Sequence, residues 1–361
     1  MRIMHVVTTS VINGVGRHVL DLAVQQREHG ATVVVVTGEH GYLFSACKER
    51  GISISVVAGL RDHSIDPADF EAGFLSELTH SKPDLVHFHQ RVAGVKGMPV
   101  ARWFGAKLVY THHVVNYDYC IGLQSVTSEQ VPVITVTEVG AKFLRNSSSM
   151  PLQVTHIPNG ISRPKESGVR LQGVNGRKSI VYPAYIHREK GIDLAVLAMR
   201  LLKDRMGETA PVLNVVGEGP DEENMRELVK QLGLDGLVEF LGVIPDILHP
   251  GLNAAALVLP SRVDACPLSV LEAMSCRIPV VAAKVGGIPE LIPDSGHGVL
   301  VTPDSPESLA AGIESVLFDE EGARRRAERS FERYQGKHTA ELMARRTFEV
   351  YEEVLGSQAF E

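Results

Sequence analysis

Cysteine is scarce: Cys47, Cys120, Cys266 and Cys276 are the four in the chain, and no two form a C-x-x-C pair. That argues against a disulfide frame and fits free thiols in a reducing compartment. An excess of positive charge is also missing. The formal net charge is -7, which argues against general nucleic-acid binding. No apolar run approaches the ~18–20 residues of a membrane-spanning helix. Met1 leads straight into the apolar stretch Ile3 to Val7, with no basic leader and no cleavage site. These absences predict a cytoplasmic protein without a nucleic-acid partner.

What the chain does have is length and alternation. Its 361 residues are too many for one ordinary core and predict two domains, and the 44% hydrophobic share is that of a globular protein. Strand signals at Ile3 to Thr8, Val33 to Val36, Ile52 to Val57, Leu85 to Phe88, Leu108 to Tyr110 and Val133 to Val136 alternate with helical ones, such as Phe70 to Leu78. A second series of strands runs through Ile180 to Tyr182, Val212 to Val216, Val238 to Leu241, Ala256 to Leu259 and Val280 to Ala282. Helices Gly191 to Arg205 and Asp221 to Leu232 lie within it. Such alternation means parallel sheets with helices on both faces, hence two doubly wound α/β domains. Between them Arg163 to Lys178 is polar and aperiodic and reads as a linker. After Val301 the chain turns helical, over Pro306 to Phe318, Gly322 to Tyr334 and His338 to Leu355.

The central stretch is Leu257 to Met274, LVLPSRVDACPLSVLEAM. It reads as the end of a buried strand, a turn punctuated by Pro260, Ser261 and Pro267, and a helix from about Leu268. Loops at the carboxyl ends of parallel strands line the ligand crevice, and a helix N-terminus suits a phosphate. Asp264 and Glu272 flank this loop. A second phosphate-loop candidate is Gly14-Val15-Gly16 after the first strand. Val19 stands where G-x-G-x-x-G needs its third glycine, which makes a nicotinamide dehydrogenase the weaker reading, although Glu39 is spaced for a ribose acid.

His87, His89, His112 and His113 sit at strand ends. Their spacing matches no known ligand set and paired acids are missing, so no metal is expected. Arg91 to Lys107 is basic, with Trp103 and Phe104, and reads as a helix with one face on the sheet and solvated charges outside. Weak association with the inner face of a membrane stays open for it. The polar-aromatic stretch Asn116 to Gln124 is a candidate acceptor-facing segment.

Several of these segments together resemble the family 4 glycosyltransferases, retaining enzymes of the GT-B fold with two Rossmann-like domains facing across a cleft. Asp264 and Glu272 occupy the acids of the family's E-x7-E segment, with Asp in place of the first Glu. Thr111-His112-His113 is similar to T-x-H, and Ile157-Pro158-Asn159-Gly160-Ile161 to I-P-N-G-V, with Ser162 where Asp is usual. Ala184 to Gly191 is similar to G-R-L-x-x-E-K-G. Lys190 is in place there, but Tyr185 stands where the family has Arg. Val216 to Pro220, Phe240 to Val243 and Gly286 to Glu290 follow in the family's order.

The resemblance implies the site residues. His113 lies beside the transferred sugar, Asp264 contacts the donor hexose, and Glu272 binds the ribose. Lys190 clamps the diphosphate, with Arg188 and Tyr185 in the same loop. Gly14, Gly16, Gly217, Val243, Cys266, Pro267, Leu268 and Ser269 complete the donor site, largely through backbone groups. It also implies residues 1–162 as the acceptor-side domain, with a helix over about 340–361 packing back on it, and 163–339 as the nucleotide-sugar domain. The implied activity is transfer of a hexosyl or N-acetylhexosaminyl group, with retention and without metal or cofactor. The donor is a nucleotide sugar, UDP-linked first, with GDP, dTDP or ADP forms as alternatives. The acceptor bears a hydroxyl and is a saccharide, a lipid-linked saccharide or a small natural-product acceptor. A GT-B sugar-nucleotide epimerase and a catalytically weak nucleotide-sugar-binding protein are the rival readings. Oligomeric state is left open.

Overall fold

The computed structural model describes residues 1–8, 14–62, 64–114, 131–147, 153–165, 176–244 and 246–356. The candidate acceptor segment Asn116 to Gln124, Cys120 and residues 166–175 of the expected linker lie outside the described residues. The chain divides into two compact units, Met1–Ser162 with His338–Glu361, and Arg163–Lys337.

In the first unit, the described strands are β1 (Arg2–Val7), β2 (Thr32–Thr37), β3 (Ser53–Val56), β4 (Leu85–His89), β5 (Lys107–His112), β6 (Val133–Thr135) and β7 (Val154–His156). They pair in parallel in the order β3-β2-β1-β4-β5-β6-β7. Runs such as TVVVVT in β2 are apolar on both faces, as a sheet covered on both sides requires. Side chains alternate between the faces. Met4, Val6, Val86 and Phe88 pack with Phe74 and Met98 on one side. Ile3, Val7, Leu85 and Val109 pack on the other with Val19, Leu22 and Tyr351.

That second face is covered by helix Gly14–Glu28 and by helix Ala340–Leu355 from the far end of the chain. Residues Asn159 to Ile161 receive the returning segment. Ile161 N donates to His338 O at 3.0 Å, and Ala340 N donates to Ile161 O at 3.0 Å. A Cβ on Gly160 would stand 2.1 Å from the Thr339 carbonyl oxygen, so only glycine permits this approach.

The second unit has β8 (Ser179–Pro183), β9 (Val212–Val216), β10 (Val238–Phe240), β11 (Ala256–Leu259), β12 (Val280–Ala283) and β13 (Val299–Val301), in the order β10-β9-β8-β11-β12-β13. Helices Ile192–Met206 and Pro306–Phe318 are among those covering it. Both sheets are doubly wound, and in each the order reverses beside the first strand, between β1 and β4 and between β8 and β11. Ligands bind at such switch points, outside the carboxyl ends of the strands.

Two local expectations change. Gly14-Val15-Gly16, expected as a loop, forms the first turn of helix Gly14–Glu28. Strand β13 and the short helix Ile288–Leu291 were not expected. The basic stretch forms helix Arg91–Trp103, which buries Ala93, Gly94, Gly97, Met98 and Ala101 and leaves Trp103 exposed. Among the described residues, no helix is long and apolar enough to cross a membrane. Cys47, Cys266 and Cys276 are buried free thiols.

Candidate active site

In the second unit the chemistry gathers at the carboxyl edge of the sheet. The turn after β8 carries Tyr185 to Gly191, and the loop after β11 carries Ser261 to Pro267. They meet at the β8/β11 switch point. Lys190 Nζ donates to Asp264 Oδ2 at 2.7 Å, and Ser261 Oγ donates to the same oxygen at 3.2 Å. The Asp264 side chain is 10% exposed and that of Lys190 31%. The carboxylate is thus largely dry, while the ammonium keeps one side open. The sequence placed both residues in the site but gave no sign that they touch, since they are 74 positions apart.

The backbone around Lys190 is pinned from several directions. Tyr182 Oη donates to Lys190 O at 3.1 Å, and Arg262 N donates to Glu189 O at 2.7 Å. Arg188 N donates to Asp221 Oδ2 at 2.6 Å, while Arg188 O accepts from the Arg262 guanidinium at 2.6 Å. Arg262 also makes a bidentate pair with Asp193, at 2.7 and 2.8 Å, and bonds Asp304 at 2.6 Å. Burial opposes ionisation of Asp193, but the guanidinium outweighs it and holds the carboxyl below its ordinary range. Gly191 closes the turn at φ 72°, and a Cβ there would stand 2.0 Å from Pro260 O. Glycine at this position therefore lets the Lys190 turn lie directly on the β11 loop. Arg262, although inside the central stretch, and Asp193 were not singled out from the sequence, because the pair that braces the site joins positions 69 residues apart.

Helix Leu268–Ser275 begins at Pro267 with no side-chain cap, so its N-terminal N–H groups are not taken by a side chain of its own N-cap. Glu272 lies in its second turn, partly buried, and Cys266 and Leu268 are buried beside it. The neighbouring turns are tied in. Gly287 N donates to Asp264 O at 3.2 Å, and Gly217 N donates to Gly242 O at 2.9 Å, which joins the turns after β9 and β10. Val243 is exposed beside Gly242. Tyr185 is 57% exposed and its ring stacks on His187 at 6.2 Å. The Arg188 side chain is exposed.

In the first unit the structure assembles a group that spacing did not reveal. His5 on β1 stands opposite His87 on β4, and His89 lies two residues further on the same face. His18, from helix Gly14–Glu28, and His113, just past β5, join them. Ring centroids are 4.7 Å apart for His18 and His113 and 5.4 Å apart for His89 and His113. One hydrogen-bonded chain links most of the group. It runs from Thr111 Oγ1 to His87 Nε2 (2.7 Å) and from His87 Nδ1 to Tyr351 Oη (2.6 Å). Gln26 follows, bonding Tyr351 at 3.2 Å and His5 Nε2 at 2.7 Å. His5 Nδ1 then meets His89 Nε2 at 3.0 Å, and His89 Nδ1 meets His113 Nε2 at 3.2 Å. Burial keeps these rings neutral: it lowers His5 and His18 to about 4 and His87, His89 and His113 well below the ordinary value. His112 also falls to about 4 through burial but stays outside the chain. His87 lies in the middle of β4, not at a strand end, and is satisfied at both nitrogens.

The sequence model for "Glycosyltransferase Family 4" matches residues 12–163, and that for "Glycosyl transferases group 1" matches residues 170–333. The chain is 24% identical over 383 aligned positions to a glycogen synthase of Mycobacterium tuberculosis, covering 94% of this chain and 91% of that one. It is 28% identical over 270 positions to a D-inositol 3-phosphate glycosyltransferase of Pseudarthrobacter chlorophenolicus, covering 66% and 64%. Among solved structures, Anabaena HepE in complex with UDP-glucose superposes with a TM-score of 0.84 at 18% identity, over 98% of this chain and all of that one. Sucrose-phosphate synthase from Thermosynechococcus elongatus superposes with a TM-score of 0.81 at 20% identity, over 98% and 99%. With two doubly wound units and both family models matched in order, the chain belongs to the family 4 glycosyltransferases of the GT-B fold and is a hexosyltransferase.

Proposed function

We propose that the chain transfers a hexosyl or N-acetylhexosaminyl group from UDP-sugar to a hydroxyl of a saccharide, lipid-linked saccharide or small natural-product acceptor, with retention of anomeric configuration and without a metal. The observation that carries this reading is the meeting of Lys190 and Asp264 at the β8/β11 switch point, on a backbone braced by Arg262. UDP and UDP-glucose in the Anabaena relative support the choice of nucleotide.

In this reading Lys190 and the first turn of helix Leu268–Ser275 hold the diphosphate, and Gly14 and Gly16 contribute backbone N–H groups. Glu272 accepts the ribose hydroxyls, and the backbone about Gly217 and Val243 borders the base. Asp264 and His113 attend the hexose. The bond from the anomeric carbon to the diphosphate oxygen breaks as the acceptor oxygen attacks from the same face. The departing phosphate oxygen takes the acceptor proton. Charge gathers on the diphosphate as that bond breaks, so a fixed ammonium aimed there lowers the barrier.

NMR of the product should show the donor's anomeric configuration, and turnover should survive EDTA. An inverted linkage, or loss of activity in EDTA restored by a divalent ion, would overturn the reading.

Tyr185 stands where the resemblance calls for arginine and cannot supply a fixed positive charge. The Arg188 backbone is tied to Asp221 and Arg262, so the turn does not slip to bring Arg188 into that place. Tyr185→Arg should therefore raise kcat/KM about tenfold, the value of one charge-assisted bond, while Arg188→Ala should change it little. The exposure of Tyr185 leaves room for the longer side chain. An inactive Tyr185→Arg enzyme, or loss of turnover in Arg188→Ala, would show a phosphate site rebuilt around the tyrosine.

A further inference from the structure

The Nδ1 of His18 bonds Asn159 Oδ1 at 3.0 Å, while its Nε2 is buried with no hydrogen-bond partner. The whole residue is 3% exposed. With Nδ1–H donating to the amide oxygen, Nε2 holds a bare lone pair, and the His113 and His89 rings lie beside that of His18 at centroid distances of 4.7 and 5.5 Å. Leaving such a group unsatisfied disfavours the fold, since its lost hydration is not replaced.

The second unusual lone pair belongs to His89. Gln26 is oriented with Oε1 towards His5 and Nε2 towards Tyr351. His5 Nε2–H therefore donates to Gln26, His89 Nε2–H donates to His5 Nδ1, and His89 Nδ1 is left as a lone pair towards His113 Nε2. One ring nitrogen from each of His18, His89 and His113 lies within 4.8 Å of the other two. In a tetrahedral site with Zn–N bonds of 2.0–2.1 Å, the nitrogens stand about 3.3 Å apart. The His89–His113 pair is already at 3.2 Å, so a modest turn of the His18 ring completes the set.

We propose that His18, His89 and His113 form a binding site for one divalent ion of the zinc type, with a fourth position open to water. The supporting groups are those such a site needs. Asn159 orients His18 through its far nitrogen, and His5 orients His89 through its own. All three rings are neutral, the form that coordinates metal. His113 moves its proton from Nε2 to Nδ1, so no net proton is released. An all-imidazole set favours zinc, nickel or copper over magnesium, calcium or manganese. The neighbouring trio His5, His87 and His89 is a poorer site, because both nitrogens of His5 and of His87 are already bonded.

The site has a consequence that rests on the proposed role of His113. An ion that claims His113 Nε2 withdraws it from the hexose and inhibits transfer. Zinc would then act on an enzyme that needs no metal.

The test uses chelator-treated full-length protein. Calorimetry with Zn2+ should find one ion per chain, and Co2+ should give the visible bands of a tetrahedral site. His18→Gln should weaken Zn2+ affinity at least tenfold, since outer-shell partners alone are worth about 10–100-fold. Asn159→Ala, outside the ligand set, should weaken it about tenfold and decides the matter if His18→Gln fails to fold. His29→Gln, an exposed histidine just past the end of that helix, should leave affinity unchanged, as a control for binding at a surface histidine. Absence of binding, or binding that neither His18→Gln nor Asn159→Ala weakens, overturns the site. In the activity arm, each rate is divided by the same variant's metal-free rate. Wild type should lose activity with rising Zn2+, and His18→Gln should need at least tenfold more. Tight binding with an unaffected rate would uphold the site and overturn the assignment of His113 to the hexose.

Discussion

Lys190→Ala should lower kcat by about two to three powers of ten, the loss typical of removing one preorganised group that stabilises developing negative charge. KM should move less, because the charge on the diphosphate grows as the glycosidic bond breaks and the interaction is strongest in the transition state. The geometry makes the effect large. The turn that holds Lys190 is bonded to Tyr182, Asp221 and Arg262, so the ammonium is delivered to one place at little entropic cost. The same geometry calls for a control. Removing Lys190 leaves the nearly buried Asp264 carboxylate with Ser261 as its remaining side-chain donor at Oδ2, and an unpaired buried charge destabilises a fold. The double variant Lys190→Ala with Asp264→Asn removes both charges. It should melt closer to wild type than Lys190→Ala and be at least as slow, since Asp264 is itself assigned to the hexose. A rise in KM with kcat intact would mean that Lys190 binds ground state and transition state alike.

Glu272→Ala should weaken binding of the nucleoside diphosphate about ten- to a hundredfold. A carboxylate that accepts hydroxyl hydrogen bonds in a partly buried place contributes roughly 1.5–3 kcal/mol, which is that ratio. The residue sits in the second turn of helix Leu268–Ser275, where neighbours Leu271, Ala273 and Met274 carry the packing. Truncating Glu272 should therefore leave the fold intact. Glu272→Gln should fall between the two, since an amide oxygen still accepts but carries no charge. Calorimetric titration of UDP into each folded variant reads the effect. An affinity unchanged in Glu272→Ala would remove Glu272 from the ribose.

The architecture was legible from periodicity, because a strand buried on both faces must be continuously apolar and a covering helix must repeat its apolar residues at 3.6. Runs such as Val212–Val216 and Ala256–Leu259 sit where the pattern placed them. The short pieces were less visible. Strand β13 has three residues and helix Ile288–Leu291 four, too few for a period to declare itself. Gly14 to Gly16 misled in another way. Glycine marks a turn and a bare helix start equally well, and only hydrogen bonding in the folded chain distinguishes them.

The sequence by itself determined two doubly wound units, the family, and the residues that gather after β8 and β11, since these are local patterns with local physical causes. Tertiary structure alone decided what those residues touch. Lys190 reaches Asp264 because the parallel order brings β8 beside β11, 74 residues apart in the chain. Asn159 bonds both the His18 ring and, through its carbonyl, the His338 ring that leads into the last helix. The histidine group draws on β1, the first helix, β4 and the end of β5, and its chain closes through Tyr351 near the C-terminus. No spacing rule could collect them, because each ring is placed by strand register and by the face its element buries, and both are properties of the assembled sheet.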